Sequence, residues 1–281
     1  MAAVLGTNVA SLFASKNLQT AQTNMANSVE RLSSGLRINR ARDDSAGLGI
    51  SNALTQQINA AEMGIRNLSD GISVVQTAEG AMAQASEMAQ RILALSIQGT
   101  NATLSSTQKQ TLITEMQALL TGINGIQSRT KFGGTVLLAG TAISVFNSNV
   151  STDSVTITAA GLINIATAGT NGTILFNSVT AASGDYSAAL AQSISSAAAT
   201  YISGLDTARG VLGAIQNQME YSVNNITELS ANLTSARSRI MDTDYASETA
   251  TLTKGQILQQ AATAMLAQAN QMPNVILSLL K

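Results

Sequence analysis

Cysteine, histidine and tryptophan are absent from the chain, and proline occurs once. Without cysteine there is no disulfide framework and no thiol nucleophile. Without histidine there is no Ser-His-Asp relay, no HExxH metallopeptidase helix and none of the common zinc ligand sets. Aromatic residues make up only 3% of the chain. That scarcity disfavours a wide core built on large rings and favours thin helix-on-helix packing by the Ala, Leu, Ile and Val that dominate the 45% apolar content. Charge is scarce too, at 11% of residues with a net charge of −1, so there is no long-range attraction to nucleic acid or to anionic lipid. No apolar run reaches the length that spans a bilayer, and membrane insertion is not expected. The first basic residue, Lys16, follows the apolar "AAVLG", which is not the basic-then-apolar order of a cleaved signal peptide. Export, if it occurs, is expected by another route.

What is present is periodicity. Between residues 45 and 98, apolar residues at Leu54, Ile58, Ala61, Ile65, Leu68, Ile72 and Val75, then Met82, Ala85, Ala89, Ile92 and Leu95, fall mainly in steps of four and three. That is the 3.5-residue seam of a coiled coil, and one helix over this stretch would span ~80 Å. A second helix is expected after the capping-box pattern Ser105-Ser106-Thr107-Gln108, with Leu112, Met116, Leu119, Ile123 and Ile126 on its seam. The longest seam runs from Leu190 through Tyr201, Leu212 and Met219 to Ile240. Between residues 133 and 185 the pattern changes to short β-branched stretches, "AISVF", "SVTIT" and "TILFN", and Asn171-Gly172 reads as a hairpin turn. This predicts a small β-rich insertion with an exposed surface.

Two charged breaks interrupt the helical pattern. The first, "RLSSGLRINRARDDSAGLGIS", places Arg37, Arg40, Arg42, Asp43 and Asp44 between glycines; the second, "RSRIMDTDYASE", holds Arg237, Arg239, Asp242, Asp244 and Glu248. Each lies about forty residues from an end of the chain, so the outer arms are nearly equal in length. Equal arms outside equal breaks predict a two-storey hairpin, its arms paired and the breaks forming the joint. Leu18, Met25 and Leu32 form the N-terminal stripe, with Leu258, Met265 and Leu279 on the C-terminal one. Pro273 should bend or break the last helix. The predicted fold is mainly α: an elongated, coiled-coil-like helical hairpin or bundle with paired N- and C-terminal helices and a small β-rich insertion.

Chemistry is thin. Asp43/Asp44 and Asp242/Asp244 are the carboxylate pairs, and their neighbouring arginines make ion pairing or helix capping the expected role. Gly47-Leu-Gly49 lacks the third glycine and preceding strand of a dinucleotide site, and no Walker-type Gly-Lys-Ser/Thr occurs. No catalytic residue, metal or cofactor is expected.

The first charged break, together with "NLSDGISVVQTAEGAM", "QRILALSIQ", "RTKFGG" and the tail "MDTDYASETATLTKGQILQQAATAMLAQANQMPNVILSLLK", closely resembles bacterial flagellin. The resemblance covers roughly residues 1–140 and 188–281. It implies a structural subunit that polymerises into the flagellar filament for swimming, secreted through a flagellar type III apparatus and located outside the cell. It also implies three regions: 1–43 with 238–281 as the inner tube, 44–140 with 188–237 as the outer tube, and 141–187 as a projecting variable domain. Implied partners are further copies of the chain, an export chaperone on the C-terminal arm, and the filament cap and hook-junction proteins. The animal flagellin-sensing Toll-like receptor is another. The family pattern places Arg91, Leu95 and Glu115 in that receptor's patch, although Leu93 and Ala94 stand where many recognised flagellins carry Arg and Glu. A hook–filament junction protein and a filament-displayed adhesin are the alternatives.

Overall fold

A computed structural model describes residues 8–147, 153–165, 170–181 and 186–279, with the side chains of 170–174, 181 and 272–279 outside the description. In chain order the elements are α1 (Val9–Ser34), α2 (Ser45–Gly99), α3 (Ser106–Arg129), β1 (Lys131–Phe132) and β2 (Thr135–Val136). These are followed by β3 (Ile143–Phe146), β4 (Ser154–Ile157), α4 (Thr170–Ala181), α5 (Ala188–Met241) and α6 (Tyr245–Leu279). The protein is mainly α, with long paired helices and a small strand insertion. None of the described helices is long and apolar enough to cross a membrane. Two compact units are present: Met1–Ile58 with Ala231–Lys281, and Asn59–Ser230.

The second unit holds the principal core. Most of the expected stripe on each of α2 and α5 is buried: Leu68, Val75, Met82, Ala85, Ala89, Ile92 and Leu95 from α2, and Ile194, Tyr201, Leu205, Leu212 and Met219 from α5, whereas Leu229 of the α5 seam is 49% exposed. In α3 the deepest positions are Ile113, Met116, Leu120 and Ile123, while Leu112 and Leu119 are half-buried. Ala78, Ala85, Ala89, Ala191 and Ala198 are fully buried, and these small side chains let the helix backbones approach closely. Each large aliphatic side chain buried in this way contributes about 1.5–3 kcal/mol. The reciprocal capping box that starts α3 is present. The Ser105 hydroxyl accepts from the Gln108 N–H at 3.3 Å and the Gln108 side chain accepts from the Ser105 N–H at 2.9 Å.

The insertion differs from its sequence pattern in two ways. β3 and β4 pair antiparallel as the alternating stretches predicted, with Val145 opposite Val155. "TILFN" and Asn171-Gly172, however, lie in α4 rather than in a hairpin. The reason is tertiary: Leu175 and Val179, one helical turn apart, are both buried in the core, and that burial overrides the β-branched content. Secondly, the insertion is not merely a surface. Val155, Ile157, Leu162 and Ile165 join the same core as α2, α3 and α5. Polar ties hold it there. The Tyr201 hydroxyl donates to the Ile165 carbonyl at 2.8 Å, and the Gln127 amide donates to the Leu138 carbonyl and the Asn164 side chain, both at 2.8 Å. Tyr186 packs its ring over Gly99, where an added Cβ would overlap it. A further hairpin, β1–β2, went unread in the sequence. Its two-residue turn, Gly133-Gly134, has φ of 56° and 87°, which only glycine adopts without cost.

In the first unit, α1 packs along α6. The Asn8 side chain caps α1 by accepting from the Ser11 N–H at 3.1 Å, and Gly35 ends the helix in the left-handed region at φ 71°. Pro273 does not stop α6, which continues to Leu279.

Candidate functional site

The two charged breaks meet within the first unit. After Gly35 the chain runs beside the α5–α6 connection as a short antiparallel bridge, Leu36 opposite Asp242. The Arg37 N–H donates to the Met241 carbonyl at 2.6 Å and the Thr243 N–H to the Gly35 carbonyl at 2.9 Å. The Arg37 guanidinium adds a bond of 2.7 Å to the Ile240 carbonyl. Beneath the bridge Ile38 is only 3% exposed, against Gly47, where any Cβ would press on its methyl group.

The charges organise the turn and the helix ends. The Asp43 carboxylate accepts from the Arg40 N–H at 2.9 Å and the Asn39 N–H at 3.2 Å. The Arg40 N–H above all, then the Asn39 N–H and the charges of Arg42 and Arg31, hold the Asp43 carboxyl below the usual carboxylate range. Arg42 lies 3.7 Å from Asp43, and Arg40 pairs with Glu30 at 2.8 Å. Asp44 caps α2 by accepting from the Gly47 N–H at 2.9 Å, and Asp244 caps α6 by accepting from the Ala246 N–H at 2.9 Å. Arg31 reaches Glu248 across the two arms at 3.7 Å. The second break is shorter than its charge pattern suggested. Arg237 and Arg239 lie within α5, which runs to Met241, and among the described residues neither makes an ion pair. Arg239 sits in the last turn, where a cation meets the negative end of the helix dipole.

On α1, Leu18, Met25 and Leu32 are half-buried, whereas Val29, at the same spacing, is 51% exposed. Ser11, Ala14, Leu18, Ala21, Met25, Ser28 and Leu32 are buried or half-buried in steps of three and four. On α6 the stripe is displaced. The covered positions are Leu252, Gly255, Gln259, Ala262, Leu266 and Ala269, whereas Leu258 and Met265 are 49% and 65% exposed. Leu279 has its side chain outside the described residues. α1 meets α6 over Gly255, where an added Cβ would lie 3.6 Å from Met25 Cβ, along a face that mixes Gly255, Ala262 and Ala269 with Leu252, Gln259 and Leu266 and leaves out Leu258 and Met265. Hydrophobicity alone pointed to the larger neighbours. Those neighbours face outward. Phe13 and Ala14 of α1, with Leu258, Ala261 and Met265 of α6, line a largely apolar groove of about 500 Å³. Val9, Leu12, Val29 and Ile257 extend the exposed apolar surface of this unit.

In the second unit Arg91 and Glu115 form an exposed ion pair at 2.7 Å, while Leu95 is 1% exposed and packed in the core. The three residues therefore do not form one surface: two are displayed and the third is covered.

Paired terminal arms, a stapled joint and an apolar face left open on a chain of long seams are the parts of a polymer subunit, and sequence comparison agrees. Residues 5–142 match the bacterial flagellin N-terminal helical region, and residues 196–280 the bacterial flagellin C-terminal helical region. The chain belongs to the bacterial flagellin family. It is 37% identical to flagellin of Bacillus subtilis over 98% of both chains. It is 33% identical to flagellin B of Vibrio anguillarum over all of both. Flagellin of Halalkalibacterium halodurans is 35% identical over 99% of this chain and 100% of its own. A crystal structure of Bacillus cereus flagellin is 23% identical, with a TM-score of 0.48 over 61% of this chain and 94% of that one. Flagellin is a structural protein and not an enzyme. It polymerises into the extracellular flagellar filament.

Proposed function

We propose that this flagellin is the subunit of a swimming filament whose assembly is driven by the paired arms. In this reading, 1–43 with 238–281 form the inner tube, 44–140 with 188–237 form the outer tube, and 141–187 faces outward. The observation that carries it is the open apolar groove between α1 and α6, flanked by Phe13, Leu258 and Met265. An apolar surface of this kind is costly in water and is relieved when further copies cover it. A head-to-tail interface that does not close on itself generates a helical filament. The joint residues Arg37, Asp43, Asp44 and Asp244 would then hold the arm in a fixed direction, because they fix the turn and cap both helices that leave it.

Export through a flagellar type III apparatus belongs to the same proposal, with a chaperone masking the α6 face before assembly and growth occurring beneath a cap beyond the hook-junction proteins. Recognition by the animal Toll-like receptor would rest on Arg91 of α2 and Glu115 of α3, with Leu95 anchoring α2 in the core beneath them. The deciding experiment is electron microscopy of purified subunits before and after seeding, beside a chain lacking the first and last forty residues. Long tubes from the full chain alone are expected. Persistent monomers or short rings from the full chain would refute arm-driven assembly and favour a junction protein or an adhesin.

A further inference from the structure

The methionines divide sharply by environment. Met82, Met116 and Met219 are fully buried in the second unit, where no oxidant in water reaches them. Met25, Met88 and Met241 are half-buried. Met265 is 65% exposed, the most open of the described methionines, and Met63 follows at 49%. The two sit in different settings: Met63 is on α2 in the second unit, whereas Met265 lines the apolar groove beside Phe13 and Leu258.

We infer that Met265 is an oxidation site through which peroxide disables unassembled subunits, an inference that rests on the assembly face proposed above. The thioether sulfur attacks one peroxide oxygen, so that an S–O bond forms as the O–O bond breaks. The sulfur is oxidised by two electrons, hydrogen peroxide is reduced, and the second oxygen leaves as water with both protons. The product is methionine sulfoxide, which replaces a flexible apolar side chain by a strongly polar one. On the α6 flank its groove neighbours are Leu258, Ala261 and Ala262, while Asn17, Thr20 and Asn24 line the α1 side. A subunit carrying the sulfoxide brings a strongly polar S=O into a largely apolar contact on docking, which weakens the contact by about tenfold. Subunits already in a filament have this face covered and are spared.

The test treats monomeric full-length chain with hydrogen peroxide, maps sulfoxides by peptide mass spectrometry, and measures seeded elongation by light scattering. Met265 should oxidise first, with Met82, Met116 and Met219 spared, and elongation should fall about tenfold. Methionine sulfoxide reductase should restore it. Met63→Leu should lose elongation on treatment as the parent does. Met265→Leu, measured against its own untreated control, should not respond to peroxide. Undiminished elongation with Met265 present as sulfoxide, or an equal loss in Met265→Leu, overturns the inference. An untreated chain that fails to elongate overturns the assembly face itself and the inference with it.

Discussion

Replacing Tyr201 by Phe removes one oxygen atom and tests how the insertion is held. Tyr201 is 1% exposed, and its hydroxyl donates to the Ile165 carbonyl at 2.8 Å. The ring stays in Tyr201→Phe, so almost no cavity opens; what is lost is a buried bond, leaving a carbonyl without that donor. Such a loss costs ~1–3 kcal/mol. At a urea dependence of ~2 kcal/mol per molar, a loss of ~2 kcal/mol moves the midpoint down by about 1 M with the slope unchanged. Urea unfolding followed by far-ultraviolet dichroism reads the midpoint, and hydrogen exchange should show faster opening around Leu162–Ile165. Tyr221→Phe is the control: Tyr221 is 76% exposed, and its change should stay within about 0.5 kcal/mol. The pH dependence gives a second reading. Burial raises the Tyr201 hydroxyl above its ordinary 10.0. Because the folded value lies above the unfolded one, this group's contribution is fully present below pH 10.0 and is lost as pH rises beyond it. The parent should therefore lose stability more steeply than Tyr201→Phe in that range. A Tyr201→Phe midpoint equal to that of Tyr221→Phe, with identical alkaline profiles, would refute the idea that this bond anchors the insertion.

Three further outcomes are expected. Ser105→Ala breaks the capping box and should lower stability by about 1 kcal/mol, read by thermal unfolding, while Ser105→Asp should keep most of it. Gly255→Leu inserts a branched side chain where Met25 lies 3.6 Å from an added Cβ; it should abolish sedimentable filaments while hydrogen-exchange protection of the second unit is unchanged. Asp43, with its carboxyl lowered chiefly by the Arg40 N–H, should keep the turn through the neutral range. Its contribution is present above the ordinary 3.8 and is lost as pH falls through the lower folded value, so protection of the Arg40 amide should disappear below pH 3.8 in the parent. Asp43→Asn should lack that acid transition.

The division between sequence and tertiary structure follows from what each feature depends on. A heptad stripe such as Leu68, Val75, Met82, Ala89 and Leu95 is a local pattern. On α2 it buries in the register that its spacing predicts. The Ser105 capping box and the breaks after Ser34 and Met241 are local too, because glycine and short polar side chains act on backbone groups within a few residues. The family itself was legible from the ordered motifs at both ends. Two of the departures from the sequence reading depended on distant neighbours. Residues 170–181 form a helix because Leu175 and Val179 find a place in the core, information that "TILFN" does not carry. The α6 seam follows Leu252, Gly255, Ala262, Leu266 and Ala269 rather than Leu258 and Met265, a choice between two faces that hydrophobicity cannot report. The sequence by itself therefore determined the long helices, the breaks between them and the family. Which face of α6 meets α1, and which is left for other molecules, was decided only when the backbones came together.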